Sequence, residues 1–127
     1  MTPILDARIQ KVELDPVRLD ASRIVAHSAS DARGRYFDML RTQVLQSMDK
    51  AGWQFLAITS PTPSCGKSVT ATNLAFSIAR LPERQTMLVD LDLQKPRIAQ
   101  YLGLERREGV LSLLEARAAL SERVVEA

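Results

Sequence analysis

The chain has 127 residues, 46% hydrophobic and 25% charged, a balance that fits one soluble globular unit and not a disordered or fibrous chain. A formal net charge of +2, with Lys and Arg interspersed among Asp and Glu, gives only weak electrostatic support for nucleic-acid or membrane binding. Cys65 is the single cysteine, so no intrachain disulfide can form and a cytoplasmic setting is expected.

The N-terminus "MTPILDARIQKVELD" carries Asp6 and Glu13 and lacks an unbroken apolar core, so neither a signal peptide nor an anchor is expected. No uncharged apolar run approaches the roughly 18 residues of a membrane span. Direct membrane insertion is therefore not expected, and any membrane association would run through a partner. Residues 1–34 mix polar and apolar types without a sustained period, and "AHSASDARGR" is small, polar and turn-prone. The expectation for 1–34 is an extended or flexible arm.

From Arg35 to Lys50, Phe37, Leu40, Val44 and Met48 recur at spacings of three or four, which predicts a helix with Gly52 placed to end it. "WQFLAITS", Trp53 to Ser60, reads as a buried strand that runs into Pro61 and Pro63. After Gly66, "KSVTATNLAFSIARL" sets Val69, Leu74, Ile78 and Leu81 near one face, so a helix should start at Lys67 and close before Pro82. "TMLVDLD", Thr86 to Asp92, is a second buried-strand candidate, and a last apolar helix is expected from about Gly109 to Leu120. Strand, loop, helix and strand in this order make a βαβ unit, hence an α/β fold with parallel strands.

The loop between the first strand and its helix carries the chemistry. A phosphate-binding loop, G-x-x-x-x-G-K-[ST], aims backbone N–H groups and a helix dipole at phosphates; the Lys adds a point charge and the Ser or Thr hydroxyl ligates Mg²⁺. Gly66, Lys67 and Ser68 fill its last three positions, while Pro61 stands where the first glycine belongs. The tripeptide alone is weak, but its place after a strand and at a helix start is what the mechanism needs. Asp90 and Asp92, at the end of the second strand candidate, could hold Mg²⁺ through water and position or deprotonate an attacking hydroxyl, or could cap the following helix.

"TSPTPSCGKSVTATNLAFSIA", then "MLVDLDLQKPRIAQYLGL" and "GVLSLL", resembles the bacterial tyrosine kinases of capsule and exopolysaccharide synthesis, relatives of the Min and Par partition ATPases. The resemblance runs from about Phe37 to Leu114. A proline-rich entry without the first glycine is usual in that family, and Ser60, Pro63, Gly66, Lys67 and Ser68 match its loop. Ser64 replaces a glycine and Cys65 an acidic residue; a serine held at φ > 0 would cost about 1 kcal/mol. The early signature lysine of the partition ATPases is absent, Thr62 and Pro63 standing there instead.

The resemblance implies an ATP- and Mg²⁺-binding domain of a cytoplasmic protein-tyrosine kinase. Residues Ser64, Cys65, Gly66, Lys67, Ser68 and Val69 would bind the nucleotide, Ser68 and Asp90 the metal, and Lys67, Asp90 and Asp92 would carry catalysis. It also implies a membrane-embedded chain-length protein as activating partner, which would bring the chain to the inner face of the membrane. Self-association would run through the Arg35–Lys50 helix, where Arg41 matches the family's Glu, Arg, Arg pattern and Arg35 and Asp38 reverse its charges. That helix reads equally as an ordinary amphipathic cover for a sheet.

Cys65 is open to two readings, a redox-active thiol at a helix start or a small loop filler. Lys95 and Arg97 read as surface residues, His27 has no metal-spaced partner, and Trp53 and Phe55 read as core or edge packing. No aromatic cluster supports binding of single-stranded nucleic acid. Nothing after Leu104 resembles the family's third motif, an apolar strand ending in Asp, and Tyr36 and Tyr101 are the only tyrosines available as phosphate acceptors. The expected architecture is therefore an incomplete, N-terminal part of a phosphate-loop domain over 35–127, preceded by the arm over 1–34, as a truncated product, a split gene or a designed fragment would give. Two further readings stay open, a partition-type ATPase switch and a non-catalytic remnant that packs on a full-length relative.

Overall fold

The structure, a computed structural model, describes residues 10–61, 66–92, 96–104 and 125–126. The chain folds as two units, Asp20–Leu88 and Met1–Leu19 together with Val89–Ala127. The helix predicted over Gly109–Leu120 lies outside the described residues.

In the unit Asp20–Leu88, a 3-10 turn over Ala32–Gly34 leads into helix α2, Arg35–Ala51, and α2 packs against α3, Lys67–Ala79. Helix α1, Pro16–Ala21, spans the boundary between the units. Proline at its first position and the Asp15 carboxylate accepting the Val17 N–H at 3.0 Å explain its start. Asp31 starts the 3-10 turn in the same way and also receives the Arg33 guanidinium. That hydrogen bond holds the Asp31 carboxyl below the ordinary carboxylate range. The α2 helix ends where predicted, at Gly52 in a left-handed conformation, with the Trp53 N–H returning to the Met48 carbonyl at 2.8 Å.

The inward side of α2 differs in part from the predicted stripe. Phe37, Val44 and Met48 are half-buried, Leu40 is exposed, and Asp38 and Arg41 face α3 beside the apolar residues. The Asp38 carboxylate accepts the Ser77 hydroxyl at 2.5 Å and an Arg80 N–H, and Arg41 donates to the Ser77 carbonyl at 2.8 Å. Polar chemistry thus fixes the register of the two helices.

The core of this unit gathers Ile24, Val25, Ala26 and Leu74 with Thr72, Asn73 and Ser77. Residues 24–26 fall in the segment expected to be a flexible arm, yet Ile24 and Ala26 are fully buried. The reason is Asn73. Its Oδ1 accepts the N–H groups of Val25 at 2.7 Å and Ala26 at 3.0 Å, and its Nδ2 donates to the carbonyls of Arg23 at 3.0 Å and Val69 at 2.9 Å. All four hydrogen-bonding positions of the carboxamide are used. Arg80 adds a bond from Nε to the Ala26 carbonyl at 2.9 Å. Gly34 closes the packing, because a Cβ there would sit 3.2 Å from the Val25 carbonyl oxygen and 3.3 Å from the Ala26 Cα.

The predicted buried strands are not observed as such. Neither Trp53–Ser60 nor Thr86–Asp92 makes a strand ladder among the described residues, and Trp53, Phe55, Leu56, Met87, Val89 and Leu91 are exposed. The expected α/β sheet is thus not formed there, and the regular elements described in this unit are helical. An apolar run becomes a buried strand only when a neighbouring strand takes its backbone N–H and C=O groups and a layer covers its side chains. Strand pairing occurs instead in the other unit, where Gln10–Lys11 (β1) pairs in parallel with Val125–Glu126 (β2). That unit also holds the short helix α4, Ile98–Tyr101, whose Gln100 carbonyl accepts a bond from Arg18 at 3.4 Å, and the buried Leu19.

Two outcomes are expected. Asn73→Ala strands the buried Val25 and Ala26 amides and should lower stability by about 2–4 kcal/mol in urea denaturation followed by circular dichroism. The lowered Asp31 pKa makes its contribution complete above the unfolded carboxylate value and lost as pH falls through the folded one. Arg33→Ala should therefore raise the Asp31 titration midpoint, read by NMR.

Candidate functional site

Gly66 takes φ 76° and ψ 15°, in the left-handed region, and α3 begins at the next residue. A Cβ on Gly66 would meet no atom within 4 Å, so the constraint on this position is its backbone and not its space. The Thr70 N–H donates to the Gly66 carbonyl at 2.9 Å and closes the first turn. By their place in that turn, the Ser68 and Val69 N–H groups have no intrahelical acceptor and point forward with the positive end of the helix dipole.

Lys67, Ser68 and Val69 are half-buried. Behind them the helix is braced from within: the Thr72 hydroxyl donates to the Ser68 carbonyl at 2.7 Å, and the Asn73 amide to that of Val69 at 2.9 Å. Gly66, Lys67, Ser68 and Val69 are therefore brought together at one helix start, as predicted from the loop pattern. Ser64 and Cys65 lie outside the described residues, as do Thr62 and Pro63.

Asp90 and Asp92 belong to the other unit. The Asp90 Oδ1 accepts the Asp92 N–H at 3.0 Å, and its Oδ2 accepts the N–H groups of Arg97 at 3.1 Å and Ile98 at 3.2 Å. Of the two readings open for this carboxylate, capping of the following helix is the one the geometry displays, since these bonds tie it to the start of α4. A carboxylate has about four lone-pair sites, so acceptance of three N–H groups leaves capacity for a further donor or a water. Arg97 is exposed, and Lys95 lies outside the described residues.

Arg35 is exposed, but Asp38 and Arg41, the other two positions singled out for self-association, face α3. His27 packs edge-on against Phe76, ring centroids 6.2 Å apart, with no hydrogen-bond partner for Nδ1 among the described residues. Among the described residues no group of three or more His, Cys, Asp or Glu side chains is gathered, and no helix is long and apolar enough to cross a membrane.

Sequence reading missed the polar face of α3. Asn73, Ser77 and Arg80 recur at spacings of four and three, a signal hidden because Val69, Leu74, Ile78 and Leu81 also recur near helical spacing.

Comparison with known proteins finds likeness to bacterial proteins named as tyrosine-protein kinases, and the likeness is to a segment of each. A protein named as the tyrosine-protein kinase EpsB of Ralstonia solanacearum is 38% identical over 85 residues, 67% of this chain and 11% of the relative. Tyrosine-protein kinase ptk of Acinetobacter johnsonii is 28% identical over 81 residues, 64% of this chain and 11% of the relative. Tyrosine-protein kinase YwqD of Bacillus subtilis is 29% identical over 108 residues, 84% of this chain and 45% of the relative. The matches span about a tenth of the length of the Ralstonia and Acinetobacter proteins. No protein-family model matches the chain, and no solved structure matches it.

Two substitutions probe the two halves of this description. Gly66→Ala should cost about 1 kcal/mol through backbone strain alone, read as a lowered unfolding midpoint. Asp90→Ala should speed amide exchange at Arg97 and Ile98 and fray α4, leaving exchange within α3 unchanged.

Proposed function

We propose that the chain carries the nucleotide phosphate-binding segment of a protein-tyrosine kinase of exopolysaccharide or capsule synthesis. The observation that supports this most is the left-handed Gly66 followed at once by Lys67 and Ser68 at the start of a 13-residue helix. The segmental likeness to proteins named as tyrosine-protein kinases supports the reaction class.

The residues present fit ATP and Mg²⁺. Gly66 holds the conformation a phosphate-cradling turn needs, and a lysine and a hydroxyl follow it in the first turn. Magnesium bound with a nucleotide takes one or two protein oxygens and completes its shell with phosphates and water, so a cage of carboxylates is not required. In this reading Lys67 and the backbone of Ser64, Cys65, Gly66, Ser68 and Val69 would hold phosphate oxygens, and the Ser68 hydroxyl would serve the metal. Lys67 would neutralise charge at a transferring phosphoryl group, and of the carboxylates Asp90 and Asp92 one would orient an attacking hydroxyl and the other would take its proton. When bound, Mg-ATP supplies the γ-phosphoryl group and the metal's charge.

The same reading gives the chain a cytoplasmic location, peripheral to the inner face of the membrane through a membrane-embedded chain-length protein. Because Asp38 and Arg41 face α3, self-association along α2 would use its exposed side, where Arg35, Tyr36 and Met39 lie. A second reading, a non-catalytic piece that packs on a full-length relative, is favoured by one observation, the exposure of Trp53, Phe55, Met87, Val89 and Leu91 in the two apolar runs.

Calorimetric titration of the 127-residue chain with Mg-ADP tests the first reading. Micromolar binding that disappears in Lys67→Ala, with circular dichroism unchanged, is the expected result. Undiminished affinity in that variant would remove the phosphate-loop assignment. Absence of binding by the folded chain, together with co-purification of a full-length relative, would favour the second reading.

A further inference from the structure

The first turn of α3 is the part of the chain that would meet phosphate, and its two leading carbonyls are held from behind. In an α-helix the Ser68 and Val69 carbonyls accept the backbone N–H groups of residues 72 and 73. Here each also accepts a side-chain donor from the same residue, the Thr72 hydroxyl at 2.7 Å and the Asn73 amide at 2.9 Å. Thr72 and Asn73 are both fully buried, and the half-buried Ser68 and Val69 leave these bonds partly shielded from competing water.

Each doubly bonded carbonyl belongs to a peptide unit whose other end is the next N–H. The Ser68 carbonyl shares its unit with the Val69 N–H, and the Val69 carbonyl with the Thr70 N–H. A second hydrogen bond to a carbonyl polarises the unit and strengthens its N–H as a donor. The Val69 N–H is one of the forward-pointing amides at the helix start, and the Thr70 N–H makes the bond that closes the turn onto Gly66 at 2.9 Å. Bonding back to a carbonyl four residues earlier ordinarily destabilises or bends a helix slightly. Two such bonds side by side, both partly buried and from fully buried donor residues, mark a turn whose shape is held.

We propose that Thr72 and Asn73 are positioning residues for the phosphate loop: they pin and polarise the first turn of α3, and Asn73 anchors that turn to the Arg23–Ala26 segment. The proposal rests on the nucleotide-binding reading above. Asn73 has both a structural and a positioning task, whereas Thr72 separates them. Thr72→Val keeps shape and volume and removes only the hydroxyl, and the Ser68 carbonyl retains its backbone partner. The fold is left with no buried unsatisfied group.

Two measurements on the full chain decide it. In calorimetry with Mg-ADP, Thr72→Val should bind about three- to tenfold more weakly, the equivalent of one hydrogen bond. Its unfolding midpoint should match that of the parent, and Thr72→Ser, which restores the hydroxyl, should recover affinity. In amide exchange without nucleotide, release of the pinned Ser68 carbonyl should loosen the turn, so that Thr70, whose N–H closes it onto Gly66, exchanges faster in Thr72→Val by a similar factor, while Arg80, whose N–H bonds to the Phe76 carbonyl at 3.1 Å, should not change. Equal acceleration at both ends of α3, or no change at Thr70, would overturn the proposal. If the parent chain fails to bind Mg-ADP, the nucleotide reading falls, and the exchange contrast by itself decides whether Thr72 pins the turn.

Discussion

The carboxamide of Asn73 is the constraint on which the rest of the Asp20–Leu88 unit depends. A buried amide with any hydrogen-bonding position unused would be a liability, because desolvation of a polar group is repaid only by partners. Asn73 has four, two N–H groups from Val25 and Ala26 and two carbonyls from Arg23 and Val69. Those partners are all backbone groups, so one side chain substitutes for the ladder that a neighbouring strand would have given to residues 23–26. Arg23 itself sits at φ 62°, a left-handed conformation that is strained for a residue with a Cβ, and the bond to its carbonyl helps to hold that turn. Burial of Ile24 and Ala26 follows from the anchoring of the backbone on either side of them.

The second set of contacts extends this logic down α3. Arg80 reaches the Ala26 carbonyl with Nε and the Asp38 carboxylate with Nη2, so the upstream segment, α3 and α2 meet at one guanidinium. The planar fork of arginine can serve a carbonyl and a carboxylate at once, which a lysine ammonium does less specifically. Asp38 is only partly shielded, its side chain 29% exposed, so its ion pairs are moderate in strength; their value lies in direction. They set which side of α2 turns inward, and they do so against the apolar pattern, since Leu40 remains exposed while Asp38 and Arg41 face α3.

The helices were legible in the sequence because their signals are local. Gly52 and Gly66 punctuate α2 and α3, and apolar spacing between those points has the helical period. The start of α3 was legible for the same reason, a glycine followed by a lysine and a hydroxyl in consecutive positions. Three things were not. The burial of residues 24–26 depends on a side chain 47 or 48 positions away, which no local window contains. The capping bonds of Asp90 to Arg97 and Ile98 depend on a turn spanning seven or eight positions, although helix capping was one of the two readings open for it. The exposure of Trp53, Phe55 and Leu56 and of Met87, Val89 and Leu91 depends on which surfaces stand next to them, and composition cannot report a neighbour.

That last point bears on how the start of α3 is held. In a parallel α/β sheet the strand before the loop and the layer around it fix the helix start. Here Trp53, Phe55 and Leu56 are exposed, so these side chains of the run before the loop do not supply that support. The α3 helix is held instead by polar contacts along one face, Asn73 to residues 23–26, Ser77 to Asp38, and Arg80 to both Ala26 and Asp38. Residues at positions 73, 77 and 80 lie on one side of a 3.6-residue helix, and bonds along a single side fix rotation about the helix axis as well as position. Rotation is the variable that matters at the other end, because it decides where the Ser68 and Val69 N–H groups point. A polar face that fixes rotation is therefore a physical means of aiming the helix start, and this chain has it in Asn73, Ser77 and Arg80.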